Sequence, residues 1–391
     1  MEAIHFDSFK NLQETAKPRF NSADGKLPDN RREMNRQAFL IIAPGNKARA
    51  DEAWSKEIKD ISDILSSTVL TCGDVTGFLK KNGHYLVLKN HFALYPLFGL
   101  LSFILALRSD RVLLECSPNS VYFSVLARLI RKSKIIYRIR SHSWIDPHKK
   151  ASRRLYRLME HFERTVVTTE SSYKSLIMNI PADKISIMTP GILIERYPPL
   201  PPPPMSDCFH ILFASAPLSN HRYPEIFETK GINILLKSIK YLNENLDYNI
   251  KLHILWRNTY LTELNGKVTQ MGLEDKVIIV NEKVNVIDYY DKCHATVFPA
   301  GDVEHSPDFP SSIMESISTG RPVIVSNVLQ ISEIIRQYKS GVVCAPNETD
   351  LSKAIQSLIT NYKHYVKNCV RTARLTFSLK ENVKPLMDGT C

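Results

Sequence analysis

Continuous apolar runs recur along the chain, and a stretch with helical spacing of apolar residues follows each of them. The runs are 39–43, 84–89, 111–116, 134–140, 165–169 and 185–189 in the first half, and 209–215, 249–256, 276–282, 295–300, 322–326 and 341–346 in the second. Short runs of this kind are typical of strands that are buried on both faces. Their alternation with helices predicts parallel, doubly wound sheets.

A proline-rich stretch at 198–204 divides the chain near its middle. Its sequence, PPLPPPP, can neither continue a helix nor join a sheet interior, so we expect a stiff connector. A chain of 391 residues is also longer than one core usually supports. We therefore predict an α/β protein of two Rossmann-like domains that face each other across a cleft. Their predicted bounds, with those of the flanking segments, are 1–36 for a flexible arm, 37–197 for the first domain, 198–206 for the linker and 207–370 for the second domain.

The charge of the chain is distributed unevenly. The net charge is +11, and residues 1–200 hold 31 Lys and Arg against 20 Asp and Glu, whereas residues 201–391 hold 20 of each. Within 108–157 there are 13 basic and 3 acidic residues. Such a field attracts phosphorylated ligands or anionic surfaces. The alternative is a solvated basic face with no specific partner, and no nucleic-acid motif accompanies the charge.

The cysteines and the apolar segments restrict the class of protein further. Seven scattered cysteines form no CxxC pair and no Cys/His spacing of a metal site, so we expect a reduced, cytosolic chain without a metal. The longest apolar segment, 92–107, is shorter than a membrane span. Residues 1–36 lack the order of a secretory signal.

The segment 298–355 carries the most specific chemistry. Pro310, Ser311 and Ser312 are expected to open a helix whose free N–H groups and positive dipole end suit a phosphorylated ligand. Glu315 lies one turn further in, where its carboxylate can receive ligand hydroxyls. Gly-Arg-Pro then leads into an apolar strand at 322–326.

This layout resembles the donor half of GT-B glycosyltransferases, particularly the retaining family 4, also called glycosyl transferases group 1. The resemblance implies that Glu315, in MESISTG, accepts hydrogen bonds from the nucleotide ribose. The alternative is a capping box with Ser312. The family usually has a second Glu eight positions earlier, where this chain has Pro307. Asp308 and the N–H groups up to Ser312 could bind the sugar and a phosphate instead, and the alternative for Asp308 is a helix N-cap.

The resemblance also implies a site for the donor diphosphate. Lys230 follows the strand 209–215 and a long loop, and it matches the family's Lys-Gly. A fixed cation there stabilises the charge that develops on the leaving diphosphate; the alternative is an ordinary surface lysine. The family's Arg after this strand is missing, so Arg222 or Arg257 would supply the second positive charge. We favour Arg257, because it ends a strand at the expected ligand edge.

Two candidates lie in the first domain. Gly45, after the opening strand, allows close approach of the backbone to a ligand, with a plain turn glycine as the alternative. His142 resembles the family's His near the reacting sugar. It would orient the acceptor hydroxyl or act as a general base, and the alternative is a His bonded to local backbone. The resemblance further implies that the C-terminal segment 371–391 includes a helix that crosses back to the first domain.

Together these features predict a retaining glycosyltransferase that uses a nucleotide-sugar donor, needs no metal or other cofactor and acts in bacterial cell-surface glycan or glycolipid synthesis. Its acceptor would be a glycan or a lipid-linked sugar. The apolar segment 92–107 and the adjoining basic residues would seat a cytoplasmic chain on the inner face of an anionic membrane. For that segment the alternative is a helix buried against its own sheet. Rival functions are a nucleotide-sugar epimerase and a non-catalytic partner or scaffold subunit of the same fold.

Overall fold

The computed structural model describes most of the chain from residue 37 onward. The described residues are 37–44, 53–73, 75, 77–118, 120–140, 150–205, 208–215, 223–245, 249–257, 259–302 and 307–387. Within them the chain forms two separate sheets covered by helices, one on each side of the proline-rich stretch. The predicted α/β class with two doubly wound, mainly parallel sheets is therefore confirmed.

The first sheet has the strand order β3-β4-β2-β1-β5-β6-β7-β8. All its pairings are parallel except the one between β3 and β4. Its strands are β1 Gln37–Ala43, β2 Thr68–Gly73, β3 Leu79–Asn82, β4 Tyr85–Lys89, β5 Ser109–Leu114, β6 Ile135–Arg138, β7 Arg164–Val167 and β8 Ile185–Ile187. The helices among them are α1 Ala53–Leu65, α2 Tyr95–Leu107, α3 Val121–Leu129, α4 Lys150–Met159 and α5 Glu170–Leu176.

Both faces of this sheet are buried. Along β1, Leu40 and Ile42 belong to one hydrophobic cluster, whereas Phe39 and Ile41 belong to a second cluster on the other face. Alternate side chains of a strand point to opposite faces, so a strand that is apolar at every position needs a layer on each side. This is the physical reason why the continuous runs in the sequence predict helices on both faces.

The second sheet is entirely parallel, with the order β11-β10-β9-β12-β13-β14. Its strands are β9 Cys208–Ala214, β10 Asn249–Leu255, β11 Val277–Val280, β12 Ala295–Phe298, β13 Val323–Ser326 and β14 Gly341–Cys344. The helices of this half are α6 Glu225–Thr229, α7 Ile232–Asn245, α8 Leu261–Gln270, α9 Ile287–Lys292, α10 Ser311–Ser318, α11 Ile331–Tyr338, α12 Glu348–Thr360 and α13 Tyr362–Thr372.

The end of the chain packs on the first sheet. A π-helical turn at Ala373–Phe377 leads to α14 Leu379–Asn382 and α15 Lys384–Met387. Leu379, Val383 and Leu386 are fully buried in the hydrophobic cluster that also contains the β1 side chains Phe39 and Ile41. The guanidinium group of Arg111, on β5, donates hydrogen bonds to the carbonyl groups of Leu386 and Met387.

The proline-rich connector is fixed by a buried arginine. Arg321, from the Gly-Arg-Pro turn after α10, is 1% exposed and donates to the carbonyl oxygens of Leu200 at 3.1 Å and Pro201 at 2.7 Å. Its Nε donates to the carbonyl of Tyr290 at 2.7 Å. Proline lacks an N–H group, so this segment is held through its carbonyls and through the N–H group of Leu200, which donates to the carbonyl of Thr319 at 3.0 Å. Arg321 thereby joins the connector to the second sheet and to α10.

Candidate active site

The candidate site lies at the carboxyl edge of the second sheet, between β9 and β12. From β9 the chain proceeds to β10 and β11 on one side, and the strands β12, β13 and β14 lie on the other. In open parallel sheets this switch in strand order leaves a crevice in which ligands bind. Ser215 directly follows β9, and Phe298 is the last residue of β12.

Lys230 reaches this switch point. Its ammonium group donates to Ser215 Oγ at 2.7 Å and lies 5.7 Å from the centre of the Phe298 ring. The residue is 4% exposed, and among the described residues no carboxylate forms an ion pair with it. Burial lowers the pKa of Lys230 to about 8. A buried cation without an anionic partner is costly, and an anionic ligand would offset that cost.

The glycine after Lys230 makes this placement possible. Gly231 has φ +71°, in the left-handed region that favours glycine, and a Cβ there would lie 1.9 Å from the carbonyl oxygen of Pro299. The backbone of the turn between α6 and α7 therefore touches the segment that follows β12. A Lys-Gly pair at this position puts the lysine side chain against both strand ends.

Glu315 lies in the second turn of α10 and is buried. One carboxylate oxygen accepts a hydrogen bond from Tyr197 Oη at 2.6 Å and lies 3.4 Å from Lys56 Nζ, while the other accepts from Tyr290 Oη at 3.0 Å. Lys56 also donates to the hydroxyl group of Tyr197. Burial and the neighbouring carboxylate raise the pKa of Tyr197. The carboxylate thus joins α1, the start of the connector and α9.

The N-terminus of α10 begins as the sequence predicts, at Pro310 and Ser311. Pro310 is the N-cap residue, and no side chain caps this end. The capping-box alternative for Ser312 and Glu315 is therefore wrong. Ser311 and Ser312 occupy the first helical positions, where the backbone N–H groups have no partner within the helix. The hydroxyl group of Tyr290 shares its one proton between Glu315 and the carbonyl of Ser312, each 3.0 Å away, and so fixes the orientation of this turn.

Asp308 is buried just before α10. Its carboxylate accepts a hydrogen bond from Gln330 Nε2 at 3.2 Å, and it does not cap the helix, so the N-cap alternative is wrong. Gln330 Oε1 accepts from Thr168 Oγ1 at 2.7 Å and from Thr169 Oγ1 at 3.1 Å, both of which follow β7 of the first sheet. Gln330 thus connects the loop of Asp308 to the first sheet.

Of the remaining predicted residues, the described part of the chain includes Arg257. Arg257 follows β10 at the same edge of the second sheet and is exposed. Gly45, His142 and Arg222 lie outside the described residues. Sequence reasoning missed Lys56, Tyr197, Tyr290, Gln330 and Thr168. Gln330 could have been found, because it follows the end of a strand just as the other candidates do.

Two arginines of the basic first half lie in an internal ion-pair cluster. Arg138, at the end of β6, is fully buried between Glu57 at 2.7 Å and Glu115 at 2.9 Å. Arg140 pairs with the same two carboxylates at 2.6 and 3.4 Å. Burial acts to raise the pKa of Glu57, but the two guanidinium groups outweigh it and lower this pKa to about 2. These two arginines therefore hold the first domain together, and because Glu57 and Glu115 also lie in the first half, the cluster leaves its net basic excess unchanged.

The part of the chain that forms this site matches a known protein family. Residues 223–375 match the family model of glycosyl transferases group 1. That region includes Lys230, Arg257, Asp308 and Glu315. No curated protein matches the sequence.

Solved structures share the fold over most of the chain. Sucrose-phosphate synthase from Thermosynechococcus elongatus is 14% identical with a TM-score of 0.66, and the alignment covers 90% of this chain and 98% of that one. HepE from Anabaena, in complex with UDP and glucose, is 15% identical with a TM-score of 0.67 at 90% and 98% coverage. WaaG, a glycosyltransferase involved in lipopolysaccharide biosynthesis, is 14% identical with a TM-score of 0.62 at 90% and 100% coverage. The chain thus has the GT-B fold, and the predicted resemblance to GT-B glycosyltransferases is confirmed, with residues 223–375 similar to glycosyl transferases group 1.

Proposed function

We propose that this protein is a retaining glycosyltransferase that moves a sugar from a nucleotide-sugar donor to an acceptor hydroxyl. The observation that carries the proposal is Lys230, a buried cation at the switch point of a parallel sheet that pairs with no carboxylate of the described residues. In a front-face displacement the bond between the anomeric carbon and the diphosphate oxygen breaks, the acceptor oxygen attacks the same side, and the acceptor's proton passes to the leaving diphosphate. Lys230 stabilises the charge that develops on the leaving diphosphate.

The other residues have distinct proposed roles. The free N–H groups at Ser311 and Ser312 bind a donor phosphate at the N-terminus of α10. Glu315 accepts hydrogen bonds from the ribose hydroxyls. Its oxygens already accept hydrogen bonds from Tyr197 and Tyr290, so a ribose hydroxyl replaces the longer contact with Lys56. Asp308 binds the sugar in place of the family's first Glu, and Arg257 assists Lys230. His142, Gly45 and Arg222 stay predictions for the acceptor side and the diphosphate.

The donor screen should begin with uridine diphosphate sugars, since the HepE structures hold UDP with glucose and UDP-glucose. Thermal-shift measurements with UDP-, GDP-, ADP-, CMP- and dTDP-sugars test the proposal. We expect one base to raise the melting temperature in the wild type and in Lys237→Met, a control at an exposed lysine of α7. The shift should be lost in Lys230→Met. No shift with any donor would contradict the proposal.

Turnover separates the rival functions. A transferase releases nucleoside diphosphate only when an acceptor is present, whereas an epimerase forms a free sugar from the donor alone. Binding of the donor without any product would favour a non-catalytic homologue, a reading that Pro307 in place of the family's Glu encourages. NMR of the anomeric proton of the product tests retention directly.

For the acceptor side we propose a cytoplasmic protein that attaches to an anionic membrane, where it would meet a lipid-linked acceptor of cell-surface glycan synthesis. Every helix in the described ranges is too short or too polar to cross a bilayer. Support comes instead from α2, which packs on the sheet through Phe98 and Ala106 while Leu100 and Leu107 of its opposite face are exposed. The buried-helix alternative therefore accounts for one face of α2 only.

A further inference from the structure

Helix α2 exposes an apolar face that no described part of the chain covers. Leu100 is 54% exposed and Leu107 65% exposed, and Phe103 and Ile104 between them are also exposed. All four side chains lie on a helix that contains no charged residue. An apolar face of this kind is typical of a binding surface.

A groove runs between α2 and the neighbouring helix α3. Its volume is about 370 Å³, within the range of small-molecule sites, and its lining is almost wholly apolar, with Tyr95 and Tyr122 at one end and Val125 and Leu129 further along. Charged side chains are absent from its lining, which excludes a polar ligand and favours a hydrocarbon chain.

Gly99 opens this groove. A Cβ at Gly99 would be in van der Waals contact with Val125 Cγ1 at 3.6 Å and Leu129 Cδ1 at 3.8 Å, so a larger side chain would fill the space between the helices. Glycine inside a helix is also unfavourable relative to alanine. Its φ is not in the left-handed region, so the backbone does not require a glycine here. The absence of a side chain at Gly99 therefore leaves open the space between α2 and α3.

One end of the groove is basic. The helices run in the same direction, since the Tyr95 and Tyr122 rings, 4.9 Å apart, lie near both N-termini. At the opposite end the groove reaches Leu129 of α3, which follows Arg128 in the last turn of that helix and lies two positions before Arg131. Arg128 and Arg131 are exposed, neither forms an ion pair within the described residues, and Glu115, the acid that precedes them most closely in sequence, is buried against Arg138.

We propose that the groove between α2 and α3 binds one hydrocarbon chain of an anionic phospholipid, whose phosphate lies against Arg128 and Arg131. The inference rests on the proposed attachment to an anionic membrane and names the site through which the lipid is held. The exposed side chains of α2 then contact neighbouring chains of the bilayer, as an interfacial helix does. The chemistry that selects this occupant is an apolar channel that ends at unpaired positive charge.

A photoactivatable phosphatidylglycerol with a diazirine in its acyl chain tests the site on the full-length protein. In vesicles of phosphatidylglycerol and phosphatidylcholine, we expect cross-links within 95–107 and 121–129. Gly99→Leu fills the groove and should abolish these cross-links and weaken vesicle binding about tenfold. Gly266→Leu is the matched control, because Gly266 is an exposed helix residue with no atom near its missing Cβ.

The outcomes separate this proposal from those on which it rests. Vesicle binding that Gly99→Leu leaves unchanged would overturn the groove site while retaining membrane attachment, and no binding to anionic vesicles would overturn both. A dimer in sedimentation velocity that Gly99→Leu dissociates would show that a second copy occupies the groove, and would also overturn it. A donor-induced thermal shift that persists in Gly99→Leu shows that the variant is folded and that the donor site is independent.

Discussion

Replacing Lys230 with methionine should stabilise the protein while abolishing donor binding. Burial lowers the pKa of Lys230 from about 10.5 to about 8, and this difference corresponds to roughly 3 kcal/mol of unfavourable free energy for the charged form at pH 7. Methionine keeps an unbranched chain without the charge. Its loss of the hydrogen bond to Ser215 costs about 1 kcal/mol. We therefore expect Lys230→Met to raise the free energy of unfolding by about 2 kcal/mol at pH 7.

The pH dependence of this gain identifies its cause. Between pH 8 and 10.5 the unfolded chain binds more protons at Lys230 than the folded chain does, so the stability of the wild type rises with pH in this window. The advantage of Lys230→Met should consequently shrink by about 2 kcal/mol between pH 7 and pH 9.5. Urea unfolding of both proteins at the two pH values measures it. A variant that is less stable than the wild type at pH 7, or a difference independent of pH, would refute the reasoning.

Three further substitutions test other parts of the structure. Gly231→Ala should destabilise the protein by about 2 kcal/mol or more in urea unfolding, because it adds strain and a backbone clash. Arg138→Met should cost about 3 kcal/mol, because only Arg140 then remains to pair with the two buried carboxylates. The pKa of Glu57 is lowered from 4.5 to about 2 in the folded protein, so the stability that its charge contributes is complete above pH 4.5 and is lost as the pH falls to 2. Glu57→Gln should therefore lose less stability than the wild type between pH 4.5 and pH 2.

Each of these has a contradicting result. Gly266→Ala, in an open helix position, should be neutral or slightly stabilising, and an equal cost at both glycines would show that the contact with Pro299 is unimportant. A near-neutral Arg138→Met would mean that the carboxylates are solvated in solution. If Glu57→Gln lost as much stability as the wild type between pH 4.5 and pH 2, that loss would come from the titration of other groups.

The sequence predicted most of the central strands because their apolar runs reflect burial on both faces. It missed β2, Thr68–Gly73, which is buried inside the first sheet but whose threonines and glycine interrupt the apolar run. It also did not predict β3, whose residues Leu79–Asn82 are all exposed at the sheet edge and so form no apolar run. The only local signal was the Asn82-Gly83 turn, with Gly83 at φ +57°. Edge strands of this kind are held by pairing alone, which leaves little pattern in the sequence.

For the candidate site, sequence reasoning located Lys230 and Glu315 but not the groups that hold them. Lys230 stands out because a Lys-Gly pair follows a strand and a loop. The contacts of Glu315 with Tyr197 and Lys56 join residues 118 and 259 positions apart, and such contacts depend on how the elements pack.

Proton uptake on binding tests the central claim, that Lys230 meets the phosphates of the donor. At pH 8 Lys230 is about half protonated, and a bound diphosphate would hold the proton on its ammonium group. Titration calorimetry of the nucleoside diphosphate selected by the thermal-shift screen, in buffers of different ionisation enthalpy, should show uptake of about half a proton in the wild type. We expect no uptake in Lys230→Met. Binding without uptake in the wild type, or equal uptake in both proteins, would contradict the account.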